Sequence, residues 1–166
     1  FDTGVLGDQT RELITVTVLA CLQTLPQLTS HTGAALNVGV EPVAIREIQG
    51  SAHLSPFAGQ PVSGVTGVVT AIRSNGYWFQ DPDPDSDPAT SEGLFVFTSS
   101  APTVAVGNAV VVSGTVSEFR PGGASSTGLT ITEIVSPTTV VTSPGDPLPA
   151  ATVIGTGGRV PPGEVI

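Results

Sequence analysis

The stretch Val68-Val69-Thr70-Ala71-Ile72-Arg73-Ser74-Asn75-Gly76-Tyr77-Trp78-Phe79-Gln80-Asp81 decides how the chain is read. Asn75-Gly76 suits a tight type I′ turn, because both residues tolerate positive φ, and β-branched or aromatic residues flank it on both sides. A hairpin follows. Alternation then puts Tyr77 and Phe79 on one face and Trp78 with Gln80 on the other. Because Gln80 is polar, the Trp78 side is the expected solvent face and Tyr77 and Phe79 the core. Outward from this hairpin, strands are expected over 62–73, 77–81, 93–98, 109–120 and 128–134, separated by the turn at 74–76, an acidic loop at 81–92, and the loops 101–108 and 121–127. Glycines inside the long strands, Gly64, Gly67 and Gly114, mark bends of the kind a strand needs when it curves around a closed sheet. The expected fold is all-β: a small five-stranded barrel over 43–136, preceded by an extension at 1–42 and followed by a Pro/Gly-rich linker or tail at 137–166.

The extension holds one further strand signal, Leu13-Ile14-Thr15-Val16-Thr17-Val18-Leu19, in which apolar Ile14, Val16 and Val18 alternate with Thr15 and Thr17. A lone strand leaves its backbone groups and apolar face without a neighbour. It is therefore expected to add to the main domain, to a neighbouring domain or to another copy of the chain. Cys21 to Leu28 has leucines spaced for a short helical turn, which Pro26 would cut short.

Composition narrows the function. The chain of 166 residues has 14 Asp and Glu against 5 Arg and no Lys, a net charge of -9. Charged residues make up 11%, against about 25% in an ordinary soluble domain, so the negative charge reflects missing cations. The longest aliphatic run, Ala109 to Val112, is too short for a membrane span, and no membrane partner is expected. Absence of Met and a start at Phe1 suggest a piece of something longer. A single cysteine, Cys21, permits no internal disulfide and argues against a cysteine-based zinc site. Low charge with abundant Thr, Ser and Gly fits an extracellular, secreted domain.

Two clusters carry chemistry. Asp81, Asp83, Asp85 and Asp87 alternate and Glu92 closes the loop, a spacing that approximates a Ca²⁺ loop. Against an EF-hand, Ser86 replaces the turn glycine and Pro82, Pro84 and Pro88 stiffen the chain, leaving either a looser Ca²⁺ site or a solvated acidic loop. The second cluster is aromatic: Trp78, Phe95 and Phe97, with Gln80, Arg73 and Arg120 nearby, form either a platform for single-stranded nucleic acid or packing for the barrel and its flanks. No catalytic residue is assigned. His31 and His53 stand in no nucleophile or metal motif, and no triad pattern surrounds the serines.

Ile45-Arg46-Glu47-Ile48-Gln49-Gly50, Gly67-Val68-Val69-Thr70, Asn75-Gly76-Tyr77-Trp78-Phe79-Gln80-Asp81-Pro82-Asp83, Ala89-Thr90-Ser91-Glu92-Gly93-Leu94-Phe95-Val96-Phe97 and Val112-Ser113-Gly114-Thr115-Val116 together resemble the OB-fold domain of secreted bacterial nucleases, whose catalytic partner belongs to the endonuclease/exonuclease/phosphatase superfamily. Gly157-Gly158-Arg159-Val160-Pro161-Pro162 is similar to the connector that precedes the catalytic domain. The resemblance implies that 43–136 forms a five-stranded OB-fold Greek-key barrel and that it is a non-catalytic accessory domain that holds single-stranded nucleic acid for a nuclease. A second reading, from another class, is an extracellular structural protein that polymerises into filaments by exchange of the Leu13–Leu19 strand, since low charge favours close protein contact.

Overall fold

The computed structural model describes residues 7–21, 42–151, 153, 155 and 156. Two helices and five strands follow in the order α1 (Asp8–Cys21), α2 (Ile45–Gln49), β1 (Pro61–Arg73), β2 (Gly76–Gln80), β3 (Gly93–Phe97), β4 (Ala109–Phe119) and β5 (Ile131–Ser143). The described structure is thus mostly β. Its strands form one mixed sheet in the order β1-β2-β3-β5-β4, closed by pairing of β4 back onto β1. All contacts are antiparallel except β3 with β5, where Phe95 faces Glu133 and Val96 faces Ile134 in parallel register.

The hairpin is in place, with Arg73 opposite Gly76, Ile72 opposite Tyr77 and Ala71 opposite Trp78, but the chain turns over Ser74 and Asn75, and neither Asn75 nor Gly76 takes the positive φ expected of a type I′ turn. Tyr77 and Phe79 point inward and are fully buried, with Val65, Val69, Leu94, Val96, Val112, Val116 and Ile134. The Tyr77 hydroxyl meets Thr139 Oγ1 at 2.7 Å, which satisfies the one polar atom this ring carries into the core. Burial pushes the Tyr77 phenol up to about 12, with the Thr139 hydrogen bond pulling slightly the other way. Gly114 sits where β4 runs against β5. A Cβ there would stand 2.5 Å from Ile134 Cγ2 and 2.8 Å from the Val135 carbonyl oxygen, so the strands close only over a bare Cα.

The end of the barrel is plugged by α2. Ile45 and Ile48 are wholly buried in the core cluster. Gln49 Nε2 donates to the Gly93 carbonyl at 2.6 Å, and Glu47 accepts from the Ala44 N–H at 2.9 Å. Gly50 ends the helix with φ of 67° while its N–H returns to the Arg46 carbonyl at 2.8 Å, a left-handed turn that favours glycine.

Two expectations about the ends of the barrel are corrected. The expected N-terminal strand at Leu13–Leu19 is helical, part of α1. A helix pairs its own backbone, and Thr15 and Thr17 donate their hydroxyls to the carbonyls of Arg11 at 2.9 Å and Leu13 at 2.8 Å, one turn back. The face it turns inward is spaced for a helix: Val16 is buried, while Glu12, Thr15 and Leu19 are half-buried. The second correction concerns the strand expected at 128–134 and the tail after it. β5 starts three residues later and continues through Ser136-Pro137 to Ser143, so residues 137–143 belong to the sheet. Ser136 takes φ of 50°, and the register shifts between Ser113 and Thr115 opposite it. That bulge lets a proline, which has no N–H to donate, sit inside the ladder.

The possible helical turn at 22–28, His31, and the connector at 157–162 lie outside the described residues. No helix among those described is long and apolar enough to cross a membrane.

Candidate functional site

The acidic loop is built around an arginine. Arg46, on α2, places Nη1 at 3.3 Å from Asp81 Oδ2 and 3.9 Å from Glu92 Oε2, and Nε at 3.7 Å from Asp85 Oδ2. The carboxylates also serve the loop backbone. Asp81 accepts from the Asp83 N–H at 2.9 Å, Asp85 from Asp87 at 2.8 Å, Asp87 from Ala89 at 2.9 Å, and Glu92 from Asp85 at 3.1 Å. Since Pro82, Pro84 and Pro88 have no N–H, these four bonds take up every backbone donor from 83 to 89 except that of Ser86. Most of the Asp alternation along the loop therefore has a local cause, the turns that Asp81, Asp85 and Asp87 make with the N–H two residues on.

Of the five residues expected to hold a cation, the structure brings Asp81, Asp85 and Glu92 together, around the guanidinium. Asp83 and Asp87 remain exposed. Among the described residues no group of three or more His, Cys, Asp or Glu side chains is arranged to hold a metal ion. Spacing alone could not have revealed the role of Arg46, which is 35 residues away in sequence from Asp81.

The aromatic cluster is partly assembled. Trp78 is 37% exposed, and its ring centroid lies 4.7 Å from that of Phe95 at an angle of 47°. Phe95 is itself buried, and Phe97 and Gln80 are half-buried. Arg73 is exposed, at the β1–β2 turn. Arg120 is turned to its own loop, where Nη1 donates to the Ser126 carbonyl at 3.3 Å and to Gly128 at 2.8 Å. With Arg46 held by carboxylates, the arginines do not line up as a phosphate-binding stripe.

An open groove of about 380 Å³ runs along β1 and β4, with Thr66, Val68, Val111 and Thr142 in its walls and Asp81 and Asp146 at its rim. Both acids already have partners, Asp81 in Arg46 and Asp146 in the Ser143 hydroxyl. His53 Nε2 accepts from the Thr130 N–H at 3.2 Å and lies 3.0 Å from its hydroxyl, which fastens the segment after α2 to the β4–β5 loop. With Nε2 accepting, the ring proton is on Nδ1.

Comparison with known proteins adds one finding. Residues 1–62 match the model of the carboxymuconolactone decarboxylase family. The match spans 62 of the 166 residues, and no curated protein matches the chain. Both described helices lie inside the matched span, and all five strands except the first two residues of β1 lie beyond it.

This finding corrects the functional expectations. The match is to a decarboxylase family where a nuclease-associated OB-fold domain was expected, and it takes in 43–62, the stretch where the nuclease resemblance begins. The readings as a nuclease accessory domain, as a nucleic-acid binder and as a non-enzyme are set aside with it. Filament assembly by exchange of the Leu13–Leu19 strand falls as well, since that segment is a helix with its backbone already paired. The sequence carried a signal for the second helix, since Ile45 and Ile48, both buried, stand three residues apart.

Proposed function

We propose that the chain is a carboxymuconolactone decarboxylase-like protein in which residues 1–62 supply the decarboxylase-like part and the β-sheet unit anchors it. One observation carries this reading: the matched span coincides with the helical part of the described structure, and α2 of that span is rooted in the barrel core through Ile45 and Ile48. Decarboxylation of a carboxylated lactone breaks the C–C bond to the carboxylate and releases CO₂. The electron pair passes into the conjugated ring system, and the carbon takes up a proton. That last step needs an acid. His31 and His53 are the two histidines of the chain, and both fall within the matched span. Arg46 is a weaker candidate for holding the substrate carboxylate, because three carboxylates already surround it.

The test is CO₂ release from carboxymuconolactone by the full chain, compared with His31→Ala and His53→Ala. Release that falls at least about a hundredfold in one variant supports the reading and names the acid. A folded chain that releases no CO₂ above the uncatalysed rate overturns it.

For the sheet unit, the strand order β1-β2-β3-β5-β4 with a parallel β3–β5 contact supports assignment to the OB-fold class of Greek-key barrels. A fold of this class hosts many unrelated activities, so the class by itself specifies no function.

A further inference from the structure

A single registered row crosses the outer face of the sheet. Ala71 on β1 faces Trp78 on β2, Trp78 faces Phe95 on β3, Phe95 faces Glu133 on β5, and Glu133 faces Ser117 on β4. Tyr77, Phe79, Leu94, Val96, Ile134 and Val116, their neighbours in sequence, all point into the core, so this row points out. Directly registered side chains on one face stand about 4.5–5.5 Å apart at Cβ.

Three properties of the row are unusual together. Phe95 lies flat over the backbone of β2, since a Cβ on Gly76 would stand 2.4 Å from Phe95 Cζ. Trp78 packs on that ring and keeps 37% of its surface open. Glu133, on the other side of Phe95, is 6% exposed. Its carboxyl has no hydrogen-bond or ion-pair partner among the described residues, and burial alone pushes its pKa above the usual value. A partly desolvated acid without a partner is less favourable in its charged form than in water, which a cation at its side would offset. The chain has only five cationic side chains, and none of the described ones reaches this acid.

We propose that the Trp78–Phe95–Glu133 row is a binding site for a small organic cation, a quaternary or alkylated ammonium. The open Trp78 ring attracts the cation through its quadrupole, Phe95 holds that ring in place, and the carboxylate supplies the countercharge. Size follows from the exposure pattern: Trp78 is open but Phe95 and Glu133 are recessed, so a compact head group reaches the carboxyl and a bulky one does not. The site lies outside residues 1–62 and does not depend on the decarboxylase reading.

Because Trp78 is the sole tryptophan, its fluorescence reports on the site without background. The full chain is titrated with tetramethylammonium chloride, with neopentyl alcohol as the neutral isostere, with sodium chloride at matched ionic strength, and with tetrabutylammonium as the bulky probe. A saturable change with tetramethylammonium alone is expected, weakened at least about tenfold by Glu133→Gln, where tenfold is the loss of one good charged contact. Calorimetry on Trp78→Leu, which lacks the fluorophore, is expected to show affinity reduced about 2- to 30-fold. Glu133→Gln keeps shape and size, and its far-UV circular dichroism is compared with the parent to separate lost binding from lost fold. Should Glu133→Gln not fold, Glu133→Asp, which retracts the carboxylate, is expected to weaken binding while keeping it selective for the cation. An equal response to neopentyl alcohol or sodium chloride, no response at all, binding of tetrabutylammonium as tight as tetramethylammonium, or unchanged affinity in the folded Glu133 variant would each overturn the proposal.

Discussion

In the barrel, Tyr77 and Phe79 are buried by strands that lie far apart in sequence, whereas α1 pairs its own backbone and leaves Leu13, Ile14 and Val18 about half exposed. The barrel's stability is collective, so each core side chain is supported from several strands. α1 pairs its own backbone, with Thr15 and Thr17 bonded one turn back and Val16 as a buried anchor. The difference teaches where substitutions will be felt and where the chain is free to carry chemistry. A rigid, fully packed sheet is a platform, and in this molecule the span that matches the decarboxylase family model is attached to it through the two isoleucines of α2.

The largest expected effect is at the centre of the barrel. Phe79→Ala removes a fully buried ring and should lower unfolding free energy by about 3–5 kcal/mol in denaturant titration. A loss below about 1 kcal/mol would mean the sheet is not the cooperative unit. Next comes the Tyr77 phenol. Its folded pKa is raised, so the folded state keeps a proton that the unfolded state gives up above pH 10. Stability should therefore fall as pH rises from 10 to about 12, by roughly 2–3 kcal/mol in all, and Tyr77→Phe should flatten that slope. Thermal melts across this window check it, and an unchanged slope in the variant would place the titration elsewhere.

Arg46→Gln comes third. The guanidinium is about a third exposed, so its pairs with Asp81, Asp85 and Glu92 should be worth only about 0–1 kcal/mol, and less at high salt. Melts at low and high ionic strength measure the difference, and a salt-independent loss would point to packing rather than charge. The smallest effect belongs to α1: Leu13→Ala, on a half-exposed position, should change stability by less than about 0.5 kcal/mol. A large loss there would show that the helix is buried in the folded protein and erase the contrast between the two regions.

The two regions also differed in how much of them could be read beforehand. All five strands were legible, four of them with boundaries close to those found, because their alternation and the internal glycines are local signals that agree with the tertiary arrangement. The inward pair Tyr77 and Phe79 followed from the same alternation. Leu13–Leu19 misled because its β-branched residues alternate with period two while the segment also fits a helical face at Glu12, Thr15, Val16 and Leu19. With no partner strand available, the self-satisfied helix wins. Continuation of β5 past Pro137 was hidden because a proline reads as a strand end, and only the bulge opposite Ser113 makes it tolerable. The acidic loop was seen as a cluster, but its partner Arg46 is distant in sequence. Glu133 was passed over altogether, since nothing in its neighbourhood shows that it comes to lie beside Phe95.

The central claim is that the helical span, and not the sheet, carries a decarboxylase-like activity. CO₂ release from carboxymuconolactone by the full chain tests it most directly, with His31→Ala, His53→Ala and Trp78→Leu measured in parallel. The account predicts release by the parent chain, loss in one of the histidine variants, and release within about twofold of the parent in Trp78→Leu. No release by a folded parent chain, or loss in Trp78→Leu with both histidine variants active, would contradict it.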